Sequence, residues 1–203
     1  KTEFALNLAL KKKAEGKRVT ICDLDIVNPY FRTSDVKNFL SEKGINVVAS
    51  EFASSNVDIP VLPSEILSVF ADGETEAIFD VGGDEYCAVA LGGFFIYIKN
   101  KEYKMYFVII AMRPMTANED DILELAHKIE ETSRLKITDV VNNTNLAYLT
   151  EPSHILQNAE LIEKCAEKLG TGVTYISGKK EILEKIPQKN KHFELETFMN
   201  LPF

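Results

Sequence analysis

The sequence predicts an α/β fold in which a mostly parallel sheet is wrapped by helices, and three observations carry that prediction. Short β-rich runs alternate with helical periodicity from one end of the chain to the other, the order that parallel strands joined by crossover helices require. Most of the strand candidates are continuous apolar runs rather than alternating ones, as expected for strands buried on both faces. With 203 residues, 45% of them hydrophobic and 27% charged, the chain suits one globular domain over residues 1–203 with a full core.

The chain opens with a helical pattern, "KTEFALNLALKKKAEGKR", that places Phe4, Ala5, Leu8 and Ala9 on one face and stops near Gly16. The lysines of "LKKKAEGKR" read as a solvated helix end whose charge complements the helix dipole, not as a nucleic-acid patch. Strands are expected at residues 18–22, 46–49, 77–81, 105–111, 137–141 and 173–176. Between the later strands, Ile122, Leu125, Ala126 and Ile129 form one helical stripe, with Thr116 and Glu119 offering a capping box at its start. Ile155, Ala159, Ile162, Ala166 and Leu169 form a second stripe, and Gly170 falls where a C-cap glycine belongs. The tail, residues 187–203, loses the alternation and is expected to pack as an irregular extension or a short helix. No internal repeat or low-complexity linker interrupts this order.

A formal net charge of −8 argues against a surface built to coat nucleic acid. Cys22, Cys87 and Cys165 have neither CxxC spacing nor the density of a disulfide scaffold, which points to a reducing cytoplasm. No signal peptide is visible, and the longest uncharged run, residues 86–98, is shorter than the roughly 20 residues of a membrane-spanning helix, so it reads as a buried core segment. His127, His154 and His192 lack metal-ligand spacing and suit surface or helix-end roles. The end of the chain, "KHFELETFMNLPF", is mixed in charge and gives no support to a basic amphipathic anchor.

Three short segments carry chemistry. Lys1-Thr2 stands at the head of a helix, the place of the last two residues of a G-x-x-x-x-G-K-[ST] loop, in which backbone N–H groups cradle phosphate, Lys neutralises charge and the hydroxyl binds Mg2+. In "CDLDIVNPYFR", Asp23 and Asp25 stand at the carboxyl end of a strand, the edge where open α/β sheets bind ligands. Two carboxylates there are costly to desolvate unless a cation or a polarised water lies between them. In "IFDVGGDEYC", an apolar run ends in Asp80 and is followed by Gly82-Gly83, an acidic residue able to hold a Mg2+ water shell beside a backbone able to approach a γ-phosphate. Singly, each segment has a plainer reading: a surface Lys-Thr pair, two helix caps and a simple turn.

Together, and in this chain order, these segments resemble the P-loop ATPases of the ParA/MinD, nitrogenase iron-protein and CobQ/CobB type, over the chain from Lys1 to about Ile186. The resemblance implies a three-layer P-loop NTPase fold with a mostly parallel sheet of about seven strands flanked by helices. It places the first strand and the glycine-rich loop ahead of Lys1. It further implies that Lys1 and Thr2 contact the nucleotide and its Mg2+, that Asp25 orients water with Asp23 as its neighbour, and that Asp80 to Gly83 is the D-x-x-G switch. Asp80, Val81, Gly83, Asp84 and Cys87 also meet the iron-protein's "DVxGDxxC" pattern, which makes Asp84 a further candidate for positioning water. "VVNNTN" occupies the strand end where an asparagine of these proteins bonds the base, pointing to Asn142 first and Asn143 second, an amide offering donor and acceptor side by side.

The implied assignment is thus Asp25, Asp84 and Lys1 as catalytic, Lys1, Thr2, Gly83, Asn142 and Asn143 as nucleotide-binding, and Thr2, Asp23 and Asp80 as metal-holding, with ATP and Mg2+ as the ligands. Within the group, "DLDIVNPYFR" is most similar to MinD-related ATP-binding proteins, and a nucleotide-dependent homodimer with a further protein partner is expected. A loop at Asn28, Pro29, Tyr30, Phe31 and Arg32 follows the aspartates as a nucleotide-sensing loop would, or packs its aromatics as a structural loop; "SSNVDIPVLPSE" leads into a helix. Cys87 matches a cluster ligand of the iron-protein, but a shared [4Fe–4S] cluster needs two cysteines per subunit and none lies between Cys22 and Cys87. All three cysteines are therefore expected as buried thiols. Two other functions fit the same motifs: ATP-dependent ligation or amidation of the CobQ/CobB and dethiobiotin synthetase kind, and a nucleotide-binding scaffold or cofactor-insertion module without turnover.

Overall fold

The computed structural model describes residues 1–25, 36–49, 64–83 and 85–198. Contacts divide the chain into two compact units, one of Lys1–Tyr97 with Glu196–Phe203 and one of Ile98–Leu195, and each is α/β with a parallel sheet.

In the first unit, helix α1 (Thr2–Ala14) leads into strand β1 (Arg18–Asp23), followed by α2 (Lys37–Glu42), β2 (Asn46–Ala49), α3 (Ser64–Ala71), β3 (Thr75–Asp80), α4 (Glu85–Gly92) and the start of the single-turn α5 (Phe95–Ile98). The helix α1 ends because Gly16 takes φ +83°, letting the N–H of Gly16 reach the carbonyl of Lys13 and that of Lys17 reach Lys12, a left-handed cap that favours glycine. The strands run parallel in the order β2-β1-β3, and the β1–β3 register sets Asp23 directly beside Asp80. Helix α1 packs on β1 and β3, and its Ala5, Leu6 and Ala9 join Val19, Ile21, Leu40, Ile45 and Val47 in one core. A second apolar centre stacks Phe70 on Phe79 and on Tyr97, with ring centroids 5.6 and 5.3 Å apart, and Phe94 closes it.

In the second unit, β4 (Tyr106–Ile109), α6 (Glu119–Ser133), β5 (Asp139–Asn142), α7 (Pro152–Gln157), α8 (Ala159–Lys168), β6 (Val173–Gly178), α9 (Lys180–Leu183) and β7 (His192–Glu194) build a parallel sheet in the order β4-β5-β6-β7. Its core joins Ile109 and Val140 of the sheet to Ile122 and Ala126 of α6 and Ile162 and Ala166 of α8, the stripes that periodicity picks out. Gly170 adopts φ +73°, as a C-cap glycine does.

Several local expectations are corrected. All six expected strands form, with ends shifted by a few residues, and a seventh, β7, forms inside the tail expected to be irregular or helical. Three residues with Phe193 buried between His192 and Glu194 are too short a run to register as alternation. The seven strands of the described residues pair in two ladders of three and four. Thr116 is not the cap of α6: its hydroxyl donates to the carbonyl of Ile110, and Asn118 caps instead, accepting from the N–H of Asp121. The stripe from Ile155 to Leu169 is split into α7 and α8 at Asn158, whose side chain bonds back to the carbonyl of His154. The first helix buries Leu6 and Asn7 as well as its expected face. Finally, residues 86–98 are not buried throughout: Cys87, Ala88, Leu91 and Phe94 face inward while Tyr86, Val89 and Ile96 are exposed, because the run forms two short helices with an outer side.

Candidate functional site

The carboxyl ends of β1 and β3 and the amino end of α1 converge in the first unit. The parallel register brings Asp23 and Asp80 to the same level, and the N–H of Leu24 donates to the carbonyl of Asp80 at 2.8 Å. Both aspartates are buried, at 4% and 3% exposure, so each must be neutralised or solvated from within the protein. Asp23 uses Oδ1 to accept the N–H of Asp25 at 3.0 Å, a tight Asx turn that presents the half-buried Asp25 at the strand exit.

Asp80 has a carboxyl perturbed by its surroundings. Burial pushes its carboxyl above the usual range; a hydrogen bond from the Thr2 hydroxyl and the nearby Lys1 ammonium pull it back, and the Asp25 carboxylate pushes it further up. Even so, Asp80 Oδ2 is buried without a hydrogen-bond partner among the described residues. An orphaned carboxylate oxygen beside a threonine hydroxyl at a helix N-terminus fits a hard cation, since Mg2+ takes oxygen ligands and rarely more than one or two carboxylates. No group of three or more His, Cys, Asp or Glu side chains able to hold a metal occurs among the described residues. Thr2, Asp80 and the adjoining Asp23 are the residues that would hold it.

The loop after β3 closes the site from the other side. A Cβ on Gly83 would lie 2.7 Å from Lys1 Nζ, and a Cβ on Gly82 would collide with Cys87 Sγ and lie 3.0 Å from Asp25 Oδ1. At Gly82 the buried Cys87 leaves no room for a side chain, whereas at Gly83 the flexible Lys1 tip could shift aside. The structure therefore brings together Lys1, Thr2, Asp23, Asp25, Asp80 and Gly83 from the expected set, on two strand ends and one helix start. Asp84 and residues 26–35, including the loop with Arg32, lie outside the described residues, as does most of "SSNVDIPVLPSE".

Asn142 and Asn143 sit at the end of β5 in the second unit, where both are buried. Asn142 Oδ1 accepts the N–H of Thr144 at 3.1 Å, and Asn143 Oδ1 accepts the Ser177 hydroxyl at 2.9 Å. Their amide oxygens thus shape the strand exit, together with Thr144, whose hydroxyl accepts the N–H of Ala111. Motif reading missed Ser177 and Thr144, and the one sequence cue was a polar residue at the end of each apolar run.

All three cysteines are buried and unbridged. His154 Nδ1 accepts the N–H of Glu151 at the start of α7, a helix-end role as expected, and His192, at the start of β7, has its Nε2 3.2 Å from the carbonyl of Pro187. No described helix is long and apolar enough to cross a membrane. Neither a protein-family model nor a curated protein matches the chain.

Proposed function

We propose that this chain is the nucleotide-binding part of a Mg2+-dependent ATPase switch of the ParA/MinD-like kind, working in the cytoplasm. The single observation that carries the proposal is the hydrogen bond from Thr2, at the start of α1, to Asp80, at the end of β3, with Asp80 Oδ2 left buried and unserved. A hydroxyl and a carboxylate paired this way serve a cation that also binds phosphate, and the helix N-terminus behind them favours the same anion.

In this function Lys1 holds phosphate charge with its ammonium against the Gly83 backbone. Thr2 and Asp80 fix the cation side of the site, where Mg2+ neutralises charge on the phosphate oxygens. Asp25, placed at the strand exit by the turn through Asp23, accepts a hydrogen bond from water and aligns it. Catalysis of this type is positioning and electrostatics, with little covalent chemistry asked of the protein. ATP-dependent pairing of two subunits would form the switch.

Single-turnover decay of bound ATP in the full-length protein tests the assignment. Wild type should hydrolyse bound ATP, and Asp25→Ala should bind it with similar affinity but hydrolyse it about a hundredfold more slowly, the scale of a lost positioning group. Equal decay in both would remove the ATPase role, and absence of Mg2+-dependent ATP binding would remove the nucleotide site altogether.

A further inference from the structure

We infer that Cys87 is a positioning residue for Asp25, holding that carboxylate in the orientation from which it aligns water; the inference rests on the ATPase function proposed above. Cys87 Sγ lies 3.9 Å from Asp25 Oδ1, a distance at which a thiol acts as a weak donor to a carboxylate. Cys87 is itself fully buried in the first turn of α4, so its sulfur is fixed by packing and not by a long side chain free to move. Gly82 lies against both partners, because a Cβ there would strike Cys87 Sγ and approach Asp25 Oδ1 to 3.0 Å. Thiol, glycine and carboxylate thus form one packed contact between the exit of β1, the loop after β3 and the start of α4.

The contact matters because of what each side of it already does. The backbone at Asp25 is set by the turn through Asp23 Oδ1, which leaves the carboxylate's own torsions to be restricted by its neighbours. Adjacent glycines in the β3–α4 loop meet different groups: Gly83 packs on Lys1 Nζ and Gly82 on the Cys87–Asp25 pair.

A double-mutant cycle in the full-length protein tests this, reading ATP affinity and single-turnover decay of bound ATP for wild type, Cys87→Ala, Asp25→Ala and the double variant. Cys87→Ala should slow decay about tenfold while Mg2+-ATP affinity stays within about twofold. Cys87→Ser, which restores a donor, should recover most of the loss. In the Asp25→Ala background the cysteine change should cause no further slowing, because its effect runs through the missing carboxylate. Should Cys87→Ala melt too early to assay, Gly82→Ala keeps the thiol but forces it off Asp25, and should show the same loss of rate at retained affinity. Decay at the wild-type rate in Cys87→Ala, or losses that multiply in the double variant, would overturn the role of Cys87 while leaving the ATPase function intact. Failure of wild type to bind Mg2+-ATP would overturn both, and the affinity arm separates the two failures.

Discussion

The Thr2 hydroxyl, at the first turn of α1, donates a hydrogen bond to the Asp80 carboxylate at the end of β3, and so ties the helix that would carry phosphate to the strand that would carry the metal shell. Removing the donor leaves a buried carboxylate poorer by one partner. Thr2→Ala should destabilise the protein by about 1–3 kcal/mol, whereas Thr2→Ser keeps the hydroxyl and should stay close to wild type. Because loss of the donor drives the Asp80 carboxyl further up, urea titrations should show a larger deficit for Thr2→Ala at pH 8 than at pH 5.

Asp80 sets a pH dependence of defined sign. Burial holds its carboxyl above the ordinary range, so the folded protein binds this proton more tightly than the unfolded chain does. The stability involved is fully present below the unfolded value of about 4 and is lost as pH rises through the folded value. Asp80→Asn removes that loss. Without ligand the variant should melt higher than wild type at pH 8, by about 1–3 kcal/mol or several degrees, and the difference should shrink toward pH 4. With Mg2+ and ATP the order should reverse, because only the carboxylate serves the cation.

Asn7 fastens the C-terminal segment to α1. Its Nδ2 donates to the carbonyl of Glu196 at 2.9 Å and its Oδ1 accepts the N–H of Glu196 at 2.9 Å, while the N–H of Phe198 reaches the Glu3 carboxylate at 3.1 Å. The Phe198 ring then packs on Phe39, with centroids 5.1 Å apart. Asn7→Ala should cost about 1–3 kcal/mol by leaving the Glu196 backbone groups without their partner. Limited proteolysis should cut near residue 196 severalfold faster in the variant than in wild type.

Burial alone pushes the Cys22 thiol up to about 12. At pH 8 its thiolate fraction is on the order of 10⁻⁴, and the thiolate is the reactive form. Iodoacetamide should therefore leave Cys22 unmodified in the native protein and label it at the rate of unfolding in denaturant. Rapid native labelling of Cys22 would contradict its placement in β1.

The site was legible in the sequence where chemistry follows a structural boundary. Asp23 and Asp80 each end an apolar run, and the parallel pairing of β1 with β3 sets the two ends side by side. Lys1 and Thr2 stand at the start of a strong helical pattern, so their place at a helix N-terminus follows directly. What was hidden depends on contacts between distant positions. Cys87 and Asp25 are 62 residues apart, and nothing local to "GGDEYC" reports a carboxylate nearby. Asn7 reads as a polar interruption in an apolar helix until Glu196 is brought against it. The strand β7 and the break at Asn158 were equally invisible, the one too short to show a period and the other made by a side chain competing with the helix for a backbone carbonyl.

The most direct test of the nucleotide site is calorimetric titration of the full-length protein with ATP, with and without Mg2+, for wild type and Thr2→Ala. If Thr2 and Asp80 form the cation side of the site, wild type binds ATP at least about tenfold more tightly with Mg2+ than without, a coupling of about 1.4 kcal/mol, and Thr2→Ala loses that Mg2+ dependence. ATP affinity that is unchanged by Mg2+, or a Thr2→Ala variant that retains the full Mg2+ effect, would contradict it.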